Sequence, residues 1–261
     1  MLSNPFQSSG HAPESRVCLM NINVAVTSMA GVQGKTTVAS HMLMPLLPSP
    51  VLIEIEDWNA SGAAQADLSI GAKAFYPLAA QMNTDLSQSF ILDIGASNCK
   101  QMFKHFDDLT LTRQQINFFC IPVRAGSKER IDTLMTIKML LDMGVPPSSL
   151  VVIAMAVSDI DLFDAEFGPL SQAAQRDGFC FASQAVLFSP IFDMLKGSKR
   201  TVFDVVRENP DFRALREQHR GDEQKLVELG NQMLIYSLSH RAARNLTSVF
   251  NSTPLANAIL Y

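Results

Sequence analysis

Hydrophobic positions along the chain fall into short continuous runs rich in β-branched residues, separated by longer stretches with helical spacing. Residues 17–27, 51–56, 89–94, 117–123, 150–156 and 185–188 are predicted as strands. Between them, the spacing predicts helices over 36–47, part of 62–82, 100–109, 129–143 and 164–176. Continuous apolar strands alternating with helices argue for an α/β fold, a mostly parallel central sheet with helices on both faces. Beyond Lys196 the pattern changes. A basic turn (Lys196-Gly197-Ser198-Lys199-Arg200) leads to a charged helical stretch over 212–220 and a long amphipathic helix over 227–250. The apolar positions of that helix are expected to pack on the domain. No internal repeat or low-complexity linker divides the chain. Residues 17–250 therefore read as one domain, with a polar, flexible extension over 1–16 and a short tail over 251–261.

In open parallel sheets ligands gather at the carboxyl ends of the strands. The first strand runs into Ser28-Met29-Ala30-Gly31-Val32-Gln33-Gly34-Lys35-Thr36-Thr37 and then into the helix-compatible Val38-Ala39-Ser40-His41-Met42-Leu43. Strand, small-residue loop and helix is the layout of a phosphate-binding P-loop, in which backbone N–H groups and a helix N-terminus face an anion. Lys35 would reach the terminal phosphates and the Thr36 hydroxyl a Mg²⁺ ion. The usual pattern has glycine six positions before the lysine, and Met29 stands there. A Gly-Lys-Thr triplet also arises by chance at ordinary strand-to-helix turns.

Other strand ends add chemistry. Phe90-Ile91-Leu92-Asp93 is an apolar strand closed by an acid, suited to hold Mg²⁺ through a water. Gly95 would then let the backbone approach a phosphate. The alternative is that Asp93, with Ser97 and Asn98, belongs to a helix cap. In the second strand, alternation puts Glu54 and Glu56 on one face. Two readings are open for these acids. On a central strand they must meet a cation or hydrogen-bond donors, so that Glu56 or Asp57 orients water or binds Mg²⁺; on an edge strand they form a solvated face. Arg124, after Ile121-Pro122-Val123, and Phe188-Ser189-Pro190 lie on loops where base or ribose contacts would sit.

A chain of 261 residues can bury a full core, and 47% hydrophobic against 18% charged residues excludes overall disorder. Net charge −4 and a pI near 5.7 call for no nucleic-acid partner. Lys196, Lys199, Arg200, Arg241 and Arg244 read as a solvated face, with direct DNA contact as the alternative. Cys18, Cys99, Cys120 and Cys180 are too far apart for metal-ligand spacing, and Cys120 sits in an apolar strand. A reduced, cytoplasmic setting is the simplest expectation. No apolar run is long enough to span a membrane, and the first twenty residues carry no secretory pattern.

Together these blocks resemble the ParA/MinD group of P-loop NTPases, whose Walker A motif is usually Lys-Gly-Gly-x-Gly-Lys-Thr-Thr. Within that group they resemble the StbB-like plasmid stability proteins. The likeness runs through Asp93-Ile94-Gly95-Ala96-Ser97-Asn98, Ile121-Pro122-Val123, Lys128-Glu129-Arg130-Ile131-Asp132-Thr133 and 140–146. It implies an ATP-dependent switch in plasmid stability, partition or conjugative transfer, in the bacterial cytoplasm. ATP or ADP and Mg²⁺ would be bound by Gly31, Val32, Gln33, Gly34, Lys35, Thr36, Thr37 and Pro190. Thr36 and Asp93 would hold the metal, and Lys35, Glu56 and Asp93 would serve catalysis. A nucleotide-dependent homodimer and a small DNA-binding, StbA-like partner are also implied. The chain departs from the group at Ala30, where a lysine normally reaches the partner's phosphates; weak hydrolysis, or a nucleotide-gated scaffold with little or none, follows from that loss. Glu54 and Glu56 stand where two Asp residues are usual, and Ala154-Met155-Ala156 lacks the Asn that often reads adenine.

Overall fold

The computed structural model describes residues 21–56, 66–85 and 87–259. The expected extension over 1–16, the first part of the first predicted strand, Cys18 and Asp57 lie outside them. In chain order the strands are β1 (Val24–Val26), β2 (Pro50–Ile55), β3 (Leu68–Ile70), β4 (Ser89–Ile94), β5 (Phe118–Arg124), β6 (Leu150–Met155) and β7 (Cys180–Phe181). A π-type helix, Thr37–Leu43, runs into α1 (Met44–Leu46). The remaining helices are α2 (Phe75–Thr84), α3 (Cys99–Asp108), α4 (Thr110–Gln114), α5 (Ser127–Asp142), α6 (Phe163–Asp177), α7 (Ile191–Met194), α8 (Val202–Arg207), α9 (Phe212–Gln218), α10 (Glu223–Asn251) and α11 (Pro254–Ala258).

The strands form one sheet in the order β3-β2-β4-β1-β5-β6-β7, and every pairing is parallel. Parallel strands need crossovers, and among the described residues helices lie on both faces, so the inner strands are buried on both sides. Alternation then divides the core in two. Ala25, Ile53, Phe90, Leu92 and Ile121 face one cluster with α2, α3 and α6. Val24, Val26, Leu52, Ile91 and Cys120 face the other, with the π-type helix, α8 and α10. Leu52 and Ile91 fix the direction of the acids two residues on: Glu54 and Asp93 fall on the face of the π-type helix, and they are register partners across β2 and β4.

Several expectations need correction. The run 185–188 is not a ladder strand; only Val157 and Leu187 bridge there, and the edge strand is Cys180–Phe181. The run still hydrogen-bonds residues 154–157 at the end of β6, and on its other edge the Asn245 side chain accepts the Leu187 N–H and donates to the Ala185 carbonyl. Of 62–82, expected to be helical in part, residues 62–65 lie outside the described residues, Leu68–Ile70 pairs with β2, and the helix runs over Phe75–Thr84. That pairing removes the edge-strand reading of Glu54 and Glu56. Within the short tail over 251–261, α11 places Leu255 fully in the second core.

Candidate functional site

A cleft of about 560 Å³ opens at the carboxyl ends of the strands. It is lined by residues 31–37, by Glu54, Glu56, Asp93 and Gly95 on one side, and by Arg124, Met155 and the 186–189 loop on the other. This size suits a nucleotide-sized ligand. Of the residues expected at the site, Gly31, Val32, Gln33, Gly34, Lys35, Thr36, Thr37, Glu56 and Asp93 all line it. Pro190 does not; it opens α7, while its neighbours Ser189 and Phe192 face the cleft.

The loop is held by its own polar residues. The Ser28 hydroxyl accepts the Ala30 N–H at 3.3 Å, and the Met29 N–H reaches Thr136 Oγ1 on α5 at 3.3 Å. Gln33 is buried and bridges the loop to β5: its amide N donates to the Gly31 carbonyl at 3.0 Å, and its Oε1 accepts the Arg124 N–H at 2.8 Å. Gly34 has φ +91°, a conformation that favours glycine, and the end of the Met155 side chain packs against it. Val32, with φ +56°, takes the same left-handed region without that freedom. The loop enters the helix directly, so its first-turn N–H groups have no intrahelical acceptors, and the residues that carry them line the cleft.

Thr36 Oγ1 donates to Asp93 Oδ2 at 2.8 Å. Asp93 is buried, and desolvation pushes its carboxyl up to about 6, against the Thr36 hydrogen bond and the Lys35 charge. Burial lowers the Lys35 ammonium from its ordinary value, while Asp93, Cys99 and Glu56 pull it back up. Lys35 Nζ lies 3.4 Å from the Ala30 carbonyl, a long contact that a better acceptor would replace. Glu56 is raised by desolvation and by Glu54, with Lys35 opposing. The Gly95 N–H donates to the Ile55 carbonyl at 3.0 Å, and a Cβ at Gly95 would lie 3.2 Å from that same oxygen. Asn98 is the first-turn cap position of α3, but its side chain makes no cap hydrogen bond, so the helix-cap reading of Asp93 and its neighbours has no support.

Among the described residues no group of three or more His, Cys, Asp or Glu side chains forms a self-contained metal site. The hydroxyl and carboxylate of Thr36 and Asp93 are hard oxygen donors. They fit an ion such as Mg²⁺ that completes its shell with water and phosphate oxygens.

Two residues at the cleft carried no sequence signal. His41 is buried in the π-type helix, where its Nδ1 accepts the Val202 N–H of α8 at 3.3 Å and its ring meets Phe192 at 5.4 Å. The buried Ser40 hydroxyl has no hydrogen-bond partner. Of the basic positions, Lys196 lines the cleft, Arg200 pairs with Glu208 at 2.6 Å, and Arg241 and Arg244 are exposed on α10.

No known family profile and no curated protein matches the chain. Solved structures do. The MinC:MinD cell division protein complex of Aquifex aeolicus is similar at 12% identity and a TM-score of 0.50, covering 87% of this chain and 95% of that one. An ATP complex of a McdA variant from Cyanothece is similar at 15% identity and a TM-score of 0.46, over 72% and 92% of the two chains. Cobyrinic acid a,c-diamide synthase from Mycobacterium smegmatis, with an ATP analogue and magnesium, gives 13% identity and 0.41, over 78% and 98%. The likeness to the Aquifex complex, with the all-parallel sheet and the loop after β1, shows that the fold is that of a MinD-like P-loop NTPase.

Proposed function

We propose that the chain binds ATP with Mg²⁺ at residues 31–37 and hydrolyses it slowly, as a nucleotide switch. The observation that carries this is the Thr36–Asp93 hydrogen bond, set beside Lys35 at the end of β4. Backbone N–H groups of the loop and the helix N-terminus would cradle the phosphates. Lys35 would leave the Ala30 carbonyl for the β- and γ-phosphates, and Thr37 would hydrogen-bond the α-phosphate. Thr36 and Asp93 would hold Mg²⁺, which when bound neutralises charge on the phosphate oxygens. Glu56, at the mouth of the acidic end, would orient the attacking water.

Calorimetric titration of ATP with Mg²⁺ tests this reading. Wild type should bind and Lys35→Ala should not; a wild type that fails to bind overturns it. A second reading, a nucleotide-gated scaffold with little or no turnover, is favoured by Ala30, which supplies no cation to a neighbouring protomer's phosphates. Phosphate release abolished by both Lys35→Ala and Asp93→Ala would rule the scaffold out; nucleotide binding without release would select it.

The resemblance to StbB-like proteins extends the proposal to plasmid stability, partition or conjugative transfer. The expected assembly is an ATP-dependent homodimer that recruits a small DNA-bound, StbA-like partner. The similar Aquifex chain is itself in a complex with a partner protein, MinC. Direct DNA contact through Lys196, Lys199, Arg200, Arg241 and Arg244 would weaken steeply with salt; binding insensitive to salt would place the DNA on the partner alone.

A further inference from the structure

We infer that the cleft accepts purine nucleoside triphosphates with little regard for which purine they carry. This rests on the reading of residues 31–37 as the phosphate site. The cleft has two unlike ends. Glu54, Glu56 and Asp93, from β2 and β4, make one end acidic and suit it to metal and phosphate. Across β1, past the end of β6, Met155, Val186, Leu187, Phe188 and Phe192 make the other end apolar. A base attached to phosphates on the loop is left with the apolar end.

Telling adenine from guanine requires a fixed donor or acceptor at the ring edge, because one presents an amino group where the other presents a carbonyl. Four backbone donors on this side are already engaged by the fold, and the Ser189 hydroxyl, which accepts one of them, can itself donate or accept as Ser40 can. The Val157 N–H goes to the Val186 carbonyl, Leu187 N–H to Asn245 Oδ1, Phe188 N–H to the Val157 carbonyl, and Ile191 N–H to the Ser189 hydroxyl. Gln33 spends both ends of its amide on Gly31 and Arg124. His41 Nδ1 holds Val202. The Ser40 hydroxyl is the buried, unpartnered group on the cleft wall, and a hydroxyl donates or accepts with equal ease, so it suits either purine. Arg124, Asp193 and Lys196 are exposed, where water competes for any edge they meet.

The face of the base remains to be held. Phe188 is 57% exposed at the rim of the cleft, an aromatic surface without a cover. Stacking on it tolerates any base, since every base has a π-face. A ring held chiefly by stacking and by hydroxyls that donate or accept alike is discriminated weakly from another of the same size.

Titration of the full chain with ATP, GTP and CTP in the presence of Mg²⁺ tests the inference. ATP and GTP should bind within about fivefold of each other, the lower limit of what one well-formed base contact supplies. CTP should bind less tightly than either, because its single ring stacks over less area. Phe188→Ala should weaken ATP and GTP alike, by about fivefold or more, and Ser40→Ala should leave their ratio unchanged. A preference for either purine beyond about fivefold overturns the inference, as does a ratio that shifts in Ser40→Ala. Binding of ATP alone would sink this inference and leave the phosphate site standing; binding of no nucleotide would remove both.

Discussion

Val32 carries the clearest local conflict in the chain. It is β-branched, sits at φ +56° and is 82% exposed, so neither its backbone conformation nor burial favours it. Such a conformation costs about 1–3 kcal/mol in a non-glycine residue. Glycine relieves it but loses about 0.5–1 kcal/mol through its freer unfolded chain. Val32→Gly should therefore stabilise the protein by about 1 kcal/mol, raising Tm by about 2–4 °C in a thermal melt; a lowered Tm would show that the valine makes contacts that outweigh the strain. Asp93 presents a different balance, a buried carboxylate whose partners are Thr36 Oγ1 and the Lys35 charge. Asp93→Ala should reduce nucleotide affinity in Mg²⁺ to that measured in EDTA, and an undiminished Mg²⁺ effect would exclude the residue from the metal site. Both residues were legible as members of the loop and the strand end. The strain at Val32 was not, because φ depends on how the loop closes over β5 and β6.

At the scale of elements, the π-type helix links the loop to the C-terminal helices. His41 is the tie, through its hydrogen bond from Val202 at the start of α8. Burial depresses the imidazole to about 4 from its ordinary 6.5, with Asp204 pulling it upward. The unfolded chain takes a proton as pH falls through 6.5, while the folded chain resists until about 4. The stability present above pH 6.5 should accordingly fall by about 3 kcal/mol as pH drops to 4. Asp93 acts with the opposite sign: its raised carboxyl pKa relieves a buried charge as pH falls through about 6. Comparing Tm against pH for wild type and His41→Asn cancels the Asp93 contribution, which both share. The wild type should lose more stability between pH 6.5 and 4; parallel curves would mean that His41 is protonated in the fold without penalty. The hydrophobic spacing showed this helix, but not its widened geometry or its tie to α8. A contact between residues 161 positions apart leaves no trace in local periodicity.

The whole molecule is two cores separated by one sheet, and the second core depends on the end of the chain. Leu246, Val249, Phe250 and Leu255 are buried with Val38, Met42 and Leu43 of the loop helix. Leu255→Ala should cost about 2–5 kcal/mol in a denaturant titration; a change near zero would show that α11 adds nothing to the second core. The order of polar and apolar residues by itself determined the α/β class, the parallel sheet, the loop after the first strand and the acids at the ends of β2 and β4. Those features are local: strand alternation and a strand–loop–helix junction are written in neighbouring residues. The sheet order, the edge role of Cys180–Phe181, the Gln33 bridge, the burial of α11 and the split of the cleft into acidic and apolar ends were decided by tertiary structure alone. Each depends on which distant segments meet, and that choice is made by burial of both sheet faces at once, a free energy that belongs to the assembled core and to no single stretch of chain.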